Sequence, residues 1–308
     1  MIDVLISKIK EKQNPSVVGL DPKLSFVPGF IKEEMFERYG KTPKAAAECF
    51  YAFNQAIIDA TADIVPAVKP QIAMYELYGA DGIESYIKTV AYAKEKGLVV
   101  IGDIKRGDIA STAEAYSDTH IGRVDIDGQT YEIFKEDFIT LNPYLGTDSV
   151  QPFIKNCRLY GKGLFMLVKT SNPSGSEIQD IESEGKPIYE IVAKLVEKWG
   201  LNLIGESGYS QIGAVVGATY PQQAKKIRNL VPNTFFLVPG YGAQGGTAQD
   251  MKNYFSEGIT GAIINSSRGI IAAHQSAKYA ERYTQEEFAL CARQAAIDMK
   301  DEILNALS

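Results

Sequence analysis

Val100-Ile101-Gly102-Asp103-Ile104-Lys105-Arg106-Gly107-Asp108-Ile109-Ala110-Ser111-Thr112 decides the reading of this chain. An apolar run, Leu98 to Ile101, ends there in a loop that places an ammonium between two carboxylates. Strand side chains repeat every two residues, so Asp103 and Lys105 are expected on one face. Asp108 lies past the turn and is free to point elsewhere, including into a neighbouring subunit. A surface ion pair needs no such arrangement, whereas a charged catalytic array does.

Working outward, seven further short apolar runs rich in β-branched residues recur along the chain. With Val99 to Asp103 they are Ser16 to Leu20, Ala67 to Lys69, Phe138 to Leu141, Leu164 to Val168, Ile212 to Val216, Phe235 to Val238 and Ile259 to Ile264. Most lack polar alternation, as expected of parallel strands buried on both faces. Helix-like segments such as Ile83 to Lys96 and Pro221 to Leu230 separate them, with Pro221 well placed at a helix start. Eight strands alternating with helices predict an α/β fold, a (β/α)8 TIM barrel. A doubly wound open sheet would not explain why polar residues fall just after the strands. Asp21, Lys69, Asp103, Lys105, Ser171, Gly240 and Arg268 all do, and strand ends of a barrel converge on one mouth.

The chain is read as one barrel domain over residues 1–308 with extra helices and inserted loops. Residues 1–15 look like a leading helix. Insertions are expected near 114–136, where Asp127-Gly128 marks a hairpin turn, and near 172–210. The second leaves the mouth of the barrel, which makes it a candidate lid.

Composition narrows the function classes. With 45% hydrophobic and 23% charged residues the chain has the profile of a soluble globular enzyme. Its net charge of −6, with no evident basic stripe, argues against a nucleic-acid partner. No stretch approaches the ~20 apolar residues of a membrane span, and the N-terminus is too polar for a signal peptide. Cys49, Cys157 and Cys291 are odd in number and widely spaced, which suits a reducing cytoplasm. His120 and His274 stand in no metal-ligand spacing, so no metal site is expected.

A second group of signals concerns phosphate. Pro239-Gly240-Tyr241-Gly242-Ala243-Gln244-Gly245-Gly246 follows the seventh run, and Asn265-Ser266-Ser267-Arg268-Gly269 follows the eighth. Loops in those places, with an adjacent helix N-terminus, are the common phosphate cradle of a barrel. Glycines let backbone N–H groups approach the oxygens, and Arg268 offers a bidentate fork. Lys69 ends a buried strand, where a lysine is unusual unless paired. Asp21, before Pro22, reads on local grounds as a cap or turn residue.

The segment from Val100 onward resembles the active-site signature of the orotidine 5′-phosphate decarboxylase family, and most closely its longer bacterial branch. Two apolar residues, Asp-x-Lys-x-x-Asp, an Ile, a small residue and a Thr all stand in place. The resemblance implies decarboxylation of orotidine 5′-monophosphate to uridine 5′-monophosphate, the last step of de novo UMP synthesis, without a cofactor. It implies Lys105 as proton donor to C6, with Asp103, Asp108 and Lys69 completing the charged array. It further implies that Asp21 bonds the ribose hydroxyls, that Ser171 reads the pyrimidine edge, and that Gln244 and Arg268 hold the 5′-phosphate. Ile109 and Thr112 would line the pocket of a partner subunit, so a homodimer with shared sites is expected.

Two other readings are weighed. Related barrels use the same Asp-x-Lys-x-x-Asp for magnesium-dependent chemistry on sugar phosphates, as in hexulose-phosphate synthase; there a metal sits on the first Asp. Here Lys69 occupies the neighbouring position, and Glu76 lies beyond the strand end. A non-catalytic nucleotide-binding protein is the other, and intact Asp103, Lys105 and Asp108 argue against it.

Overall fold

The apolar runs become eight strands of one closed parallel barrel in the computed structural model, which describes residues 1–242 and 245–308, Ala280 by its backbone alone. The strands are β1 (Ser16–Leu20), β2 (Ala67–Pro70), β3 (Val99–Arg106) and β4 (Phe138–Leu141), then β5 (Gly163–Lys169), β6 (Ile212–Val216), β7 (Phe236–Val238) and β8 (Ala262–Ser266). Each pairs in parallel with the next, and β8 pairs with β1, so the barrel itself has no open edge. Nearly every strand residue is buried, as the unbroken apolar runs predict. The eighth strand begins three residues later than its apolar run. Gly261 at φ 102° and the Ser256 N–H to Thr260 carbonyl bond at 3.0 Å turn the chain there, which keeps Ile259 and Thr260 out of the sheet.

Alternation along the strands divides the core in two. Val17, Ala67, Val99, Ile101, Phe138, Phe165 and Ile263 form one buried cluster inside the barrel. The leading helix Ile2–Lys12 adds Ile2, Leu5, Ile6 and Ile9 to it and so covers the N-terminal end. The residues of opposite parity, including Val18, Val68, Val100, Ile139 and Leu164, face the helices in a second cluster. Among those helices Pro43–Thr61 is started by Pro43 and by the Thr42 hydroxyl, which accepts from the Ala45 N–H at 3.2 Å. Gly79–Glu95 and Pro221–Leu230 lie where the helical patterns fall.

The two longer excursions contain ordered pieces. Segment 114–136 holds the rest of helix Ala110–His120 and a hairpin, Val124–Ile126 with Gln129–Tyr131. Its turn is Asp127-Gly128, both residues at positive φ, as a two-residue hairpin requires. Segment 172–210 holds a small hairpin and helix Ile188–Gly200, which packs on β5 and β6. Among the described residues no helix is long and apolar enough to cross a membrane.

The leading helix is thus part of the core. Leu5 is completely buried in it, and Leu5→Ala is expected to cost about 2–5 kcal/mol. Urea denaturation would measure this; a midpoint equal to wild type would mean that the helix is not packed as described.

Candidate active site

The inward parity of Val99 and Ile101 continues along β3 to Asp103, at the C-terminal end of the barrel. Asp103 is buried, and its two oxygens are saturated with donors. Lys69 Nζ donates to Oδ2 at 2.5 Å and Gln71 Nε2 to the same oxygen at 2.9 Å. Lys105 Nζ donates to Oδ1 at 2.5 Å and Thr140 Oγ1 to that oxygen at 2.9 Å. Asp103 and Lys105 do share a face, but β3 is not regular there. Lys105 sits at φ 47°, and the register to β4 shifts between Gly102 and Arg106.

Burial alone would oppose the charge on Asp103. The Lys69 ammonium, and next that of Lys105, outweigh it and hold the carboxyl well below the usual carboxylate range. Burial likewise opposes the charge on Lys69, whereas Asp103 and then Asp21 outweigh it and raise the lysine above its ordinary value. Each charge is therefore kept by the other. Lys105 differs from Lys69 in being about half exposed.

The array opens on a cavity of ≈ 660 Å³ at the barrel mouth. Asp21, Lys69, Asp103, Lys105, Ser171, Gly240 and Arg268 all line it, which brings together seven residues spread over most of the chain. Asp21 Oδ1 and Asn265 Oδ1 are buried there with no hydrogen-bond partner. Ser171 follows β5 and is held in place by its neighbours. Lys169 Nζ donates to Asp180 at 2.6 Å, and the Thr170 N–H donates to Gln179 Oε1 at 3.0 Å. Gly217 makes room for this turn, since a Cβ there would lie 2.7 Å from the Ser171 nitrogen.

Other expected residues stand apart. Asp108, Ile109 and Thr112 do not line the cavity; Ile109 and Thr112 are exposed, Thr112 lines a separate groove with Arg106 and Tyr116, and Asp108 Oδ1 accepts from the Ile109 N–H at 2.7 Å. Gly242, at φ 68°, lines an adjoining cavity, and its N–H donates to the Gly246 carbonyl at 2.9 Å. That amide is spent inside the loop. Gln244 lies outside the described residues. The helix after β8, Arg268–Ile271, is only four residues long, so it supplies little dipole. Glu76 is engaged by Arg106. Among the described residues no group of three or more His, Cys, Asp or Glu side chains is placed to hold a metal ion.

Gln71 and Thr140 are site residues that the sequence pattern does not name, and Asn265 enters it only as part of the loop after the eighth run. Gln71 and Asn265 directly follow or end recognised strands, a position that could have marked them. Thr140 sits inside an apolar run and gives no such signal.

Asp103→Asn would leave Lys69 buried beside a neutral amide, and a broken buried pair costs about 3–5 kcal/mol. The folded carboxyl titrates well below the unfolded value of about 3.9. Its contribution is therefore full above that value and is lost as pH falls through the folded pKa. The stability gap between wild type and variant is expected to be widest near pH 7 and to narrow by about 1 kcal/mol at pH 3. Urea titrations at the two pH values check this, and a constant gap would contradict it.

Comparison with known proteins meets this geometry from the other side. The family described as "Orotidine 5'-phosphate decarboxylase / HUMPS family" matches residues 34–283. The orotidine 5′-phosphate decarboxylase of Caldicellulosiruptor saccharolyticus is 41% identical, covering 99% of this chain and 98% of its own. That of Clostridium acetobutylicum is 42% identical over the whole of both chains. The solved OMP decarboxylase of Leishmania donovani superposes with TM-score 0.74 at 28% identity, covering 99% of this chain and 98% of its own. The Plasmodium berghei orotidine 5′-monophosphate decarboxylase, at 21% identity and TM-score 0.77 over 99% of this chain and 97% of its own, shares the fold. A match over most of the length, and relatives this similar from end to end, place the chain in the orotidine 5′-phosphate decarboxylase / HUMPS family.

Proposed function

We propose that this protein decarboxylates orotidine 5′-monophosphate to uridine 5′-monophosphate and CO2, in a single barrel domain, with Lys105 as the proton donor. The observation that carries the site assignment is Asp103, buried and ionised between Lys69 and Lys105 on the wall of a cavity that Arg268 also lines. Loss of CO2 leaves the bonding pair on C6, where the ring delocalises it poorly. The Lys105 ammonium stabilises that charge, gives C6 its proton, and is reprotonated from solvent. Asp103, with Asp108 from a second subunit, keeps Lys105 charged. Asp103 also faces the substrate carboxylate; two like charges ~4 Å apart repel by about 4 kcal/mol at an effective dielectric near 20. That repulsion disappears as CO2 departs. Arg268 pairs with the 5′-phosphate, the unpaired Asp21 oxygen accepts from ribose hydroxyls, and Ser171 meets the pyrimidine edge. Gly240, Gly242 and Gln244 belong to the phosphate loop in this reading.

The magnesium-dependent sugar-phosphate reading is disfavoured by occupancy. Both Asp103 oxygens already accept from cationic and neutral donors, and Glu76 is taken by Arg106. No cofactor is needed for the proposed reaction. Orotidine 5′-monophosphate turnover with EDTA present is expected for wild type, and Lys105→Ala is expected to lose at least about 10³-fold in kcat. A folded wild type without turnover until magnesium is added would overturn the proposal.

A homodimer with shared sites belongs to the same reading. Leu77, Ile109, Tyr144 and Leu145 are exposed large apolar residues on neighbouring loops; the Asn142 N–H to Arg106 carbonyl bond at 2.9 Å joins two of these loops. Such a patch suits a protein interface. It lies beside Asp108 and Thr112, the residues assigned to the partner's cavity. A cytoplasmic location is supported by the three buried free thiols, all raised by burial (Cys49 and Cys291 to about 11) and so unsuited to exchange. Mixing inactive Lys105→Ala and Asp108→Ala subunits is expected to restore activity to about a quarter of wild type, since half the dimers are mixed and each mixed dimer has one intact site. Absence of any recovery, with subunit exchange demonstrated, would rule out shared sites.

A further inference from the structure

We propose that Thr140 is a positioning residue whose hydroxyl ties the bulged backbone of β3 to the Asp103 carboxylate and so sets where the Lys105 ammonium stands. The inference rests on the decarboxylase reading for its kinetic consequence, but its geometry stands apart from the substrate. Gly102 is opposite Ile139 and Arg106 is opposite Leu141, so three residues of β3 face the single residue Thr140 on β4. The Ile104 and Lys105 N–H groups leave the regular ladder there. Thr140 Oγ1 accepts from both, each at 3.0 Å, and donates to Asp103 Oδ1 at 2.9 Å.

A hydroxyl has one proton and two lone pairs, and an ionised carboxylate only accepts. Both lone pairs are therefore committed to the backbone, and the proton is committed to Asp103. No rotational freedom remains, and the β-branched side chain is itself buried and stiff. This bears on Lys105 because little else holds it. Its side chain is 45% exposed, whereas that of Lys69 is 4% exposed and fixed by packing. Lys105 also adopts φ 47°, which residues with a Cβ seldom do unless their surroundings impose it. The Thr140 contact at its own N–H is that imposition, and the resulting turn sends Nζ back to Asp103 Oδ1 at 2.5 Å. An ordinary strand residue at 140 would pack equally well and leave two peptide groups unpaired.

The test compares Thr140→Val, which keeps the shape, with Thr140→Ser, which keeps the hydroxyl. Orotidine 5′-monophosphate kinetics, UMP binding by calorimetry and amide hydrogen exchange by NMR are read on each. Thr140→Val is expected to lower kcat by about 10- to 100-fold, the loss of a hydrogen bond to a charged group. KM and UMP affinity should stay within about threefold, because the contact acts on the reacting lysine and not on the bound nucleotide. Exchange at the Ile104 and Lys105 amides should quicken at least about tenfold, with Val100 unchanged. Thr140→Ser should remain within about fivefold of wild type in kcat. Wild-type kcat in Thr140→Val would overturn the inference. So would a Ser variant as impaired as the Val variant, or kcat and UMP affinity falling together. If Thr140→Val does not fold, a kcat loss in Thr140→Ser still overturns it and wild-type-like turnover supports it. If wild type does not turn over the substrate, the functional reading fails instead, and amide exchange in Thr140→Val still decides the role of the hydroxyl.

Discussion

The rest of the site depends on one constraint, that a carboxylate and an ammonium can stay charged inside this barrel only together. Asp103 alone in that position would be driven toward its neutral form by burial, and so would Lys69. Their pairing requires the ends of β2 and β3 to lie side by side at matched height, which the parallel register provides. Ala67 is opposite Val99, and Gln71 bridges to Asp103 two pleats further on. A one-residue slip between these strands would turn Lys69 away from Asp103, because facing reverses with every residue. Register is thus an electrostatic requirement as well as a packing one.

That requirement explains how the barrel interior is partitioned. One line of inward positions on β3 runs Val99, Ile101, Asp103, and the change from apolar to charged occurs at Gly102. Below it the interior is closed by aliphatic and aromatic side chains and by the leading helix; above it the cavity opens. Gly102 itself faces outward, where a Cβ would lie 2.7 Å from Glu136 Oε1 and 3.0 Å from the Tyr86 hydroxyl. Glu136 there is bound by Tyr86 at 2.7 Å and by His120 at 3.0 Å, entirely out of water. The strand carrying the charged array is therefore backed by a buried polar contact on its other face. His120 is thus engaged in the packing behind β3.

Strand positions and the charged array were legible because both follow from local pattern. Buried parallel strands are apolar runs, and the whole segment from Val100 to Thr112, rather than a bare Asp-x-Lys, marks the array. The rest was not legible, each part for a physical reason. The start of β8 depends on the left-handed Gly261, which cuts an apolar run that reads as continuous. The glycines after the seventh run suggest backbone N–H groups open to phosphate, yet the Gly242 N–H is satisfied within its own loop, a matter of loop closure rather than composition. Thr140 and Gln71 matter through contacts with residues more than thirty positions away, and Thr140 only because β3 bulges opposite it. The placement of Asp108, Ile109 and Thr112 outside the cavity is equally silent in one chain, since their proposed work lies in another.

The groups that the cavity leaves unpaired argue for the kind of ligand it takes. Asp21 Oδ1 and Asn265 Oδ1 line the cavity as acceptors that no protein donor meets. Hydroxyl or N–H donors of a bound molecule can meet them without any rearrangement of the chain. The same cavity presents Arg268 and the half-exposed Lys105, whose charges favour anionic oxygens. A ligand that offers donors to the first pair and anionic groups to the second satisfies both sets at once. Orotidine 5′-monophosphate carries ribose hydroxyls between a carboxylate-bearing ring and a phosphate, so one molecule supplies the whole complement. A sugar phosphate with no carboxylate would leave the Lys105 side of the cavity unanswered.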